Sequence, residues 1–417
     1  MTSGSEFQDA AEKYHYINSS KNEAGQEGDA SKGTSSAYYF LAQHYNYYLS
    51  RDLDKAVEFI DKALELEPKS VDYHMTKARI WKNYGNPPKA AEIMEQARTL
   101  DTRDRHINTK AAKYQLRNND NEGALKTMGL FTRAETVGGP LADLLDMQCV
   151  WFLTEDGEAY ARQAKYGLAL KRFTSLFNIF EIWQEDQFDF HSFSLRKGQI
   201  RAYVDMIRWE DHLRDHPSYT RAALGAIDVY LKLHDKPFAN GANGNADDGE
   251  DANERKKAAK KARKEAQKAE REAAIKKNEP NKPSREGDSD PKKKDDDPNG
   301  DKLAATTEPL ADAIKFLTPL LQYSPKNIEA QNAGFELYIR KKKYILALKC
   351  LLAAAGLDPE HPKVHQNIIR FSQAIEKDKE SISPKSFEVI KSDFTLLPSG
   401  KSFTQFNDEY LAKSKDH

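Results

Sequence analysis

Ala56, Ala90 and Ala124 lie 34 residues apart, and the positions around them keep that spacing: Tyr47 with Trp81, Ile60 with Met94 and Met128, Ala63 with Ala97. A strand repeats every second residue and a helix about every 3.6, so neither alone produces this period. A helix–turn–helix unit stacked on copies of itself does. One such unit cannot bury its apolar face unaided, so the units pack in a row, each on its neighbours. Solenoids of this kind mostly hold other molecules, and the first question for this chain is what it binds.

The period is that of the tetratricopeptide repeat, which predicts an all-α, right-handed superhelix. In the first unit, Ala37 to Pro68, Phe40 and Tyr47 take the large positions of helix A, and Ala56, Ile60 and Ala63 those of helix B. Phe40 and Tyr47 would face solvent where no unit precedes them. Small alanines let crossing helices approach, and Pro68 stops the second helix. The second unit, Val71 to Thr102, carries Trp81, Gly85, Ala90, Met94 and Ala97; Gly85 falls where the turn between helices needs a positive φ. The third, Arg105 to Thr132, carries Ala112, Ala124, Met128 and Phe131. After the loop RAETVGGPLAD the pattern resumes at Tyr160, Ala169, Phe173 and Leu176, and it returns once more from Ile328 to Pro359 with Gly334, Phe335, Tyr338, Ala347, Leu351 and Ala354.

These readings divide the chain as follows. Residues 1–36 are a short helix and a flexible connection; 37–236 are helical repeats; 237–303 are a disordered charged linker; 304–375 are repeats again; 376–417 are short helices and a tail. Within the linker, residues 254–277 hold eleven Lys or Arg against four Glu and read as one solvated helix of ~36 Å. Across the chain the charges nearly cancel, at −1. Two distant cysteines, Cys149 and Cys350, form no disulfide framework and no metal motif. No apolar run reaches the ~20 residues of a membrane span, and MTSGSEFQDA holds no apolar leader core. A soluble, intracellular protein with no membrane partner is expected.

Few residues suggest chemistry. His212 and His216 are four apart, but no third ligand accompanies them, so a surface or structural role is expected. Phe188, Phe190, Phe193, Tyr203 and Trp209 read as inter-helix core, with partner contact by one or two of them left open. Lys110, Lys113, Tyr114 and Arg117 follow i, i+3, i+4, i+7 spacing and share one helix face. Lys165, Tyr166, Lys171 and Arg172 recur in the next unit. Such faces could cradle an anion or could be ordinary solvated surface.

Several runs resemble one family. They are YYFLAQHYNYY with LDKAVEFIDKALE, LDTRDRHINTKAAKYQLR, DMQCVWFLTEDGEAYARQAKYGLALKRF, AIKFLTPLLQY and, most specifically, DQFDFHSFSLRKGQIRAYVDMIRWEDHLRDHPSYTRAALGAIDVYLKLHD. The family is the auxiliary, ribosome-anchoring subunit of the N-terminal acetyltransferase A complex. Its members are about twice this length, and this chain resembles their C-terminal portion.

The resemblance implies a non-catalytic scaffold in the cytoplasm, associated with the ribosome. It implies binding and activation of a small GNAT-fold catalytic subunit, which alone holds acetyl-CoA and acetylates nascent chains that start with a small residue. It also implies a small regulatory, chaperone-like subunit, and inositol hexakisphosphate as a structural ligand. Lys110, Lys113, Tyr114 and Arg117 match the residues that hold that ligand, and Lys165 and Tyr166 match them more weakly. The basic stretch, through Lys256, Lys257, Lys260, Lys261, Arg263 and Lys264, would contact ribosomal RNA by charge, with a solubilising linker as the plain alternative. The acetyl-CoA loop of the catalytic fold, R/Q-x-x-G-x-G/A, has no match: Gln331 to Glu336 comes nearest and ends in Glu. Other readings are a general repeat adaptor for peptide termini, of whose clamp Asn83 and Lys110 offer fragments, and an RNA-associated scaffold.

Overall fold

The computed structural model describes residues 27–133, 138–236, 297–398 and 400–414. Every regular element among them is a helix. The chain forms two units, Met1–Gln163 and Ala164–His417.

The first unit contains α1 (Glu27–Asn46), α2 (Leu53–Leu66), α3 (Val71–Asn83), α4 (Pro87–Leu100), α5 (Arg105–Arg117), α6 (Asn121–Gly129), α7 (Gly139–Asp146) and α8 (Val150–Arg162). The helices pair as α1–α2, α3–α4 and α5–α6, with α8 also against α5. The 34-residue period is written into the turns as well as the core. Asp52, Asn86 and Asp120 cap α2, α4 and α6, each side chain accepting from the backbone N–H three residues on, at 2.9–3.1 Å. A cap of this kind stabilises a helix by about 1 kcal/mol. Gly85 has φ +82°, as expected, and Asn119, one period later, has φ +64°. Ala56, Ile60, Ala63, Ala90, Met94, Ala97, Ala124 and Met128 are all buried.

Helix α1 begins at Glu27, inside the stretch 19–36 that the sequence suggested was a flexible connection. The reason is tertiary: the Ser35 hydroxyl is buried beside Tyr73 Oη at 2.7 Å and Glu67 at 2.5 Å, which holds the polar first turns against the next helices. Phe40 and Tyr47 are about half exposed, at 46% and 51%.

The second unit contains α9 (Tyr166–Arg196), α10 (Ile200–Glu210), α11 (Pro217–Asp235), the single turn α12 (Asp301–Ala304), α13 (Pro309–Tyr323), α14 (Ile328–Arg340), α15 (Tyr344–Leu357), α16 (Pro362–Lys377), α17 (Pro384–Asp393) and α18 (Phe403–Ser414). Helix α9 packs on α11 through Ala169, Phe173, Leu176 and Phe180. The pair α14–α15 is the repeat foreseen at 328–359, with Phe335, Ala347, Leu351 and Ala354 in its core. Gly334 lies where these helices cross; a Cβ there would sit 2.7 Å from Cys350 Sγ. No described helix is long and apolar enough to cross a membrane.

Candidate functional site

Helix α5 brings Lys113, Tyr114 and Arg117 to one face, as the spacing predicts. Packing against α8 supplies a partner that the spacing does not reveal. Glu155 on α8 is only 2% exposed and takes both cations, with Arg117 at 3.1 Å and Lys113 at 3.4 Å. An acid that deep needs compensation, so this face is a built ion-pair site and not loose surface charge. Burial pushes the Tyr114 phenol up, against the opposing pull of Arg79 and Arg117. Lys110 is exposed, with no ion pair among the described residues.

Three further cations belong to the cluster. The Lys82 ammonium is held below its usual range, first by partial desolvation, then by Arg117, Arg79, Arg51 and Lys113. Arg51, Arg79 and Lys82 make no hydrogen bond or ion pair among the described residues. Five cations therefore share one neighbourhood in the first unit, with one buried carboxylate against them. A like-charge cluster of this kind lowers its own repulsion by holding a polyanion. The sequence did carry a signal for part of it: Arg79 stands 34 residues before Lys113.

The other proposed cations distribute differently. Lys165 and Tyr166 open the second unit, Lys165 exposed and Tyr166 half-buried. Arg172 is 5% exposed, and Lys171 donates to the Asp297 carbonyl, so neither adds to an open basic face. Hydrophobic neighbours on α9 carry Arg172 inward with the core stripe. Lys256, Lys257, Lys260, Lys261, Arg263 and Lys264 lie outside the described residues. His212 and His216 are exposed and flank a short turn; His216 caps α11 by accepting from the Ser218 N–H at 3.1 Å. No group of metal-ligating side chains occurs among the described residues. Gly334, centre of the nearest match to an acetyl-CoA loop, is inside α14. Asn83 donates to Asn46 at 2.8 Å, which occupies it within the fold.

The aromatic run departs from its expected role. Helix α10 carries Ile200, Tyr203, Val204, Met206, Ile207 and Trp209, yet none of its residues is buried. Trp209, read from sequence as core, is 47% exposed, and Ile200 is 65% exposed. The side chains of Phe188, Phe190 and Phe193 lie outside the described residues. An amphipathic helix with an apolar stripe and nothing over it is the pattern of a docking surface.

Comparison with known proteins gives these surfaces a context. The profile of the family N-terminal acetyltransferase A, auxiliary subunit, matches residues 5–354. The Arabidopsis thaliana N-terminal acetyltransferase A complex auxiliary subunit NAA15 is 36% identical over 387 residues, which cover 91% of this chain and 42% of that protein. The human N-alpha-acetyltransferase 16, NatA auxiliary subunit, is 36% identical over 385 residues, covering 90% of this chain and 44% of that one. Among solved structures, one of Naa15/Naa10 bound to HypK-THB matches with a TM-score of 0.74 and 53% identity, over 93% of this chain and 49% of the matched chain. The chain thus spans less than half the length of these relatives.

Proposed function

The chain belongs to the auxiliary-subunit family of N-terminal acetyltransferase A, and from that premise we propose that it is a non-catalytic scaffold for a GNAT-fold catalytic subunit of the Naa10 kind. The observation that carries this reading is the uncovered apolar stripe of α10. An isolated solenoid gains nothing from exposing Ile200, Val204 and Trp209, whereas a partner helix laid over them removes that surface from water. The work of the complex is co-translational acetylation of nascent chains at the ribosome, in the cytoplasm. Acetyl-CoA is held by the catalytic subunit alone, and a small regulatory subunit of the HypK kind completes the assembly. Ribosomal RNA contact falls to the basic stretch of Lys256 to Lys264.

The cluster of Arg51, Arg79, Lys82, Lys113 and Arg117, with Lys110 and Tyr114 beside it, suits inositol hexakisphosphate. The fit rests on the unpaired state of Arg51, Arg79 and Lys82 and on their mutual repulsion. The ligand would supply the missing negative charge, and Tyr114 would offer a hydroxyl. Lys165 and Tyr166 remain further candidates on the second unit.

The test is capture of the catalytic subunit by purified chain. Val204→Glu with Trp209→Glu should cost at least tenfold in affinity and leave the melting temperature unchanged, since neither residue is buried in the chain. Undiminished capture would remove α10 from the interface.

A further inference from the structure

In the second unit the C-terminal ends of α11, α14 and α16 meet along one edge. Arg340 at the end of α14 reaches Asp235 at the end of α11, at 2.8 Å. Lys342, in the turn between α14 and α15, reaches Asp378 just past α16, at 2.9 Å. These two pairs bind the three ends together and use up both acids. What remains is cationic: Lys236, Lys341, Lys343 and Lys377 make no ion pair among the described residues. Arg340 to Lys343 is the longest run of consecutive cations among the described residues. Glu376 and Glu380 dilute the charge at the end of α16, so the edge is centred on the α14–α15 turn.

Two of these lysines are poor choices for the fold. Lys342 has φ +54°, in the left-handed region where the corresponding turns of the first unit use Gly85 and Asn119. Lys343 is the N-cap of α15 and makes no side-chain cap. The same place in the first unit is held by Asp52, Asn86 and Asp120, all of which do. A lysine there also puts a cation at the positive end of the helix dipole. Arg340 and Lys341, at a helix C-terminus, are explained by that dipole; Lys343 is not. Local stability would favour Gly-Asn at 342–343, and the chain has Lys-Lys.

We propose that this edge binds the phosphate backbone of a nucleic-acid duplex. Helices of adjacent repeats pack about 8–10 Å apart, so cations on three successive helix ends form a line, not a point. A line suits the evenly charged strand of a duplex better than one compact polyphosphate. No aromatic side chain in the turn is free to stack on a base, because Tyr344 is buried; this favours duplex over single strand. Lys236 is also the last described residue before the segment that carries the eleven Lys and Arg of 254–277, so edge and segment are joined directly in the chain. The inference rests on the ribosome-associated reading above but uses different residues.

The experiment measures binding of the whole chain to a duplex RNA of ~20 base pairs across a salt series. Lys341→Glu with Lys343→Glu should weaken binding at least tenfold at ~0.1 M salt, and lower the slope of log K against log salt by about 2, one for each phosphate left without its lysine. Lys343→Asn should raise the melting temperature by restoring the cap while it weakens RNA binding, a pairing that a merely structural role would not produce. Unchanged affinity and slope in folded variants would overturn the proposal. So would equal binding of poly-L-glutamate, which would assign the edge to an acidic protein. Deleting 254–277 separates the two readings. Lost ribosome co-sedimentation with unaffected edge variants would sink the edge alone. A retained edge effect with harmless deletion would sink the role of the basic stretch and keep the edge.

Discussion

Glu336 shows how one residue can tie a repeat array together. It accepts from Arg370 at 2.5 Å and 2.9 Å, from Arg340 at 2.7 Å, and lies 3.2 Å from Lys363. Burial alone would raise its pKa, but Arg370, Arg340 and Lys363 outweigh burial and hold it at about 2. Asp235, bonded to Arg340, is likewise held at about 2. An unfolded glutamate titrates near ~4.3, so the folded state binds fewer protons than the unfolded state below that pH. The stabilisation is complete above ~pH 4.3 and is lost as pH falls towards ~2. Glu336→Gln should therefore lower the melting temperature at neutral pH and flatten its fall between those values. Asp235 would leave a residual slope. A curve parallel to wild type would show that the network does not stabilise the fold. The sequence hinted at none of this, since Asp235 and Arg340 are 105 residues apart.

At the scale of elements, the turns and crossings were the most legible part. Positive φ at Gly85 and close packing at Gly334 follow from the repeat pattern and are seen. Gly334→Ala adds a methyl 2.7 Å from Cys350 Sγ. Helix propensity would gain about 1 kcal/mol, but overpacking costs about 1–3 kcal/mol, so a net loss of about 1 kcal/mol is expected. Adding Cys350→Ala should recover most of the overpacking loss in a double-mutant cycle read by urea unfolding. Additive losses would mean the crossing is not limited by that approach. Helix α10 was the least legible element. Its apolar period matches that of a core helix, and periodicity does not distinguish a stripe buried in the chain from one left for a partner. Helix α1 was missed for the opposite reason: a polar, Gly-bearing stretch became helical through hydrogen bonds made at Ser35 by residues more than thirty positions away.

For the molecule as a whole, the two units have separate cores. The first is built on Leu41, Ala56, Ile60 and Ile80, among others, and the last repeats of the second on Phe335, Leu351 and Phe371. Stability in repeat proteins passes between neighbours and decays along the array. Ile60→Ala, at a fully buried site, should cost about 2–5 kcal/mol. Hydrogen exchange should show that loss in α1–α4, with protection in α14–α15 kept. An equal loss in both would show that the chain unfolds as one cooperative block.

By itself the sequence determined the helical class, the period, the cap and turn residues that set it, and the family, because these depend on interactions within 34 residues or on patterns repeated along the chain. It also placed Lys113, Tyr114 and Arg117 on one face, because a helix fixes which neighbours share a side. Only the tertiary structure decided which charges are spent and which are left over. Glu155 is consumed by Lys113 and Arg117, and Asp235 by Arg340, while Arg51, Arg79, Lys82 and Lys343 have no ion-pair partner among the described residues. The physical reason is that pairing falls off over a few ångströms in space, and the partners are brought that close by packing between helices far apart in the chain.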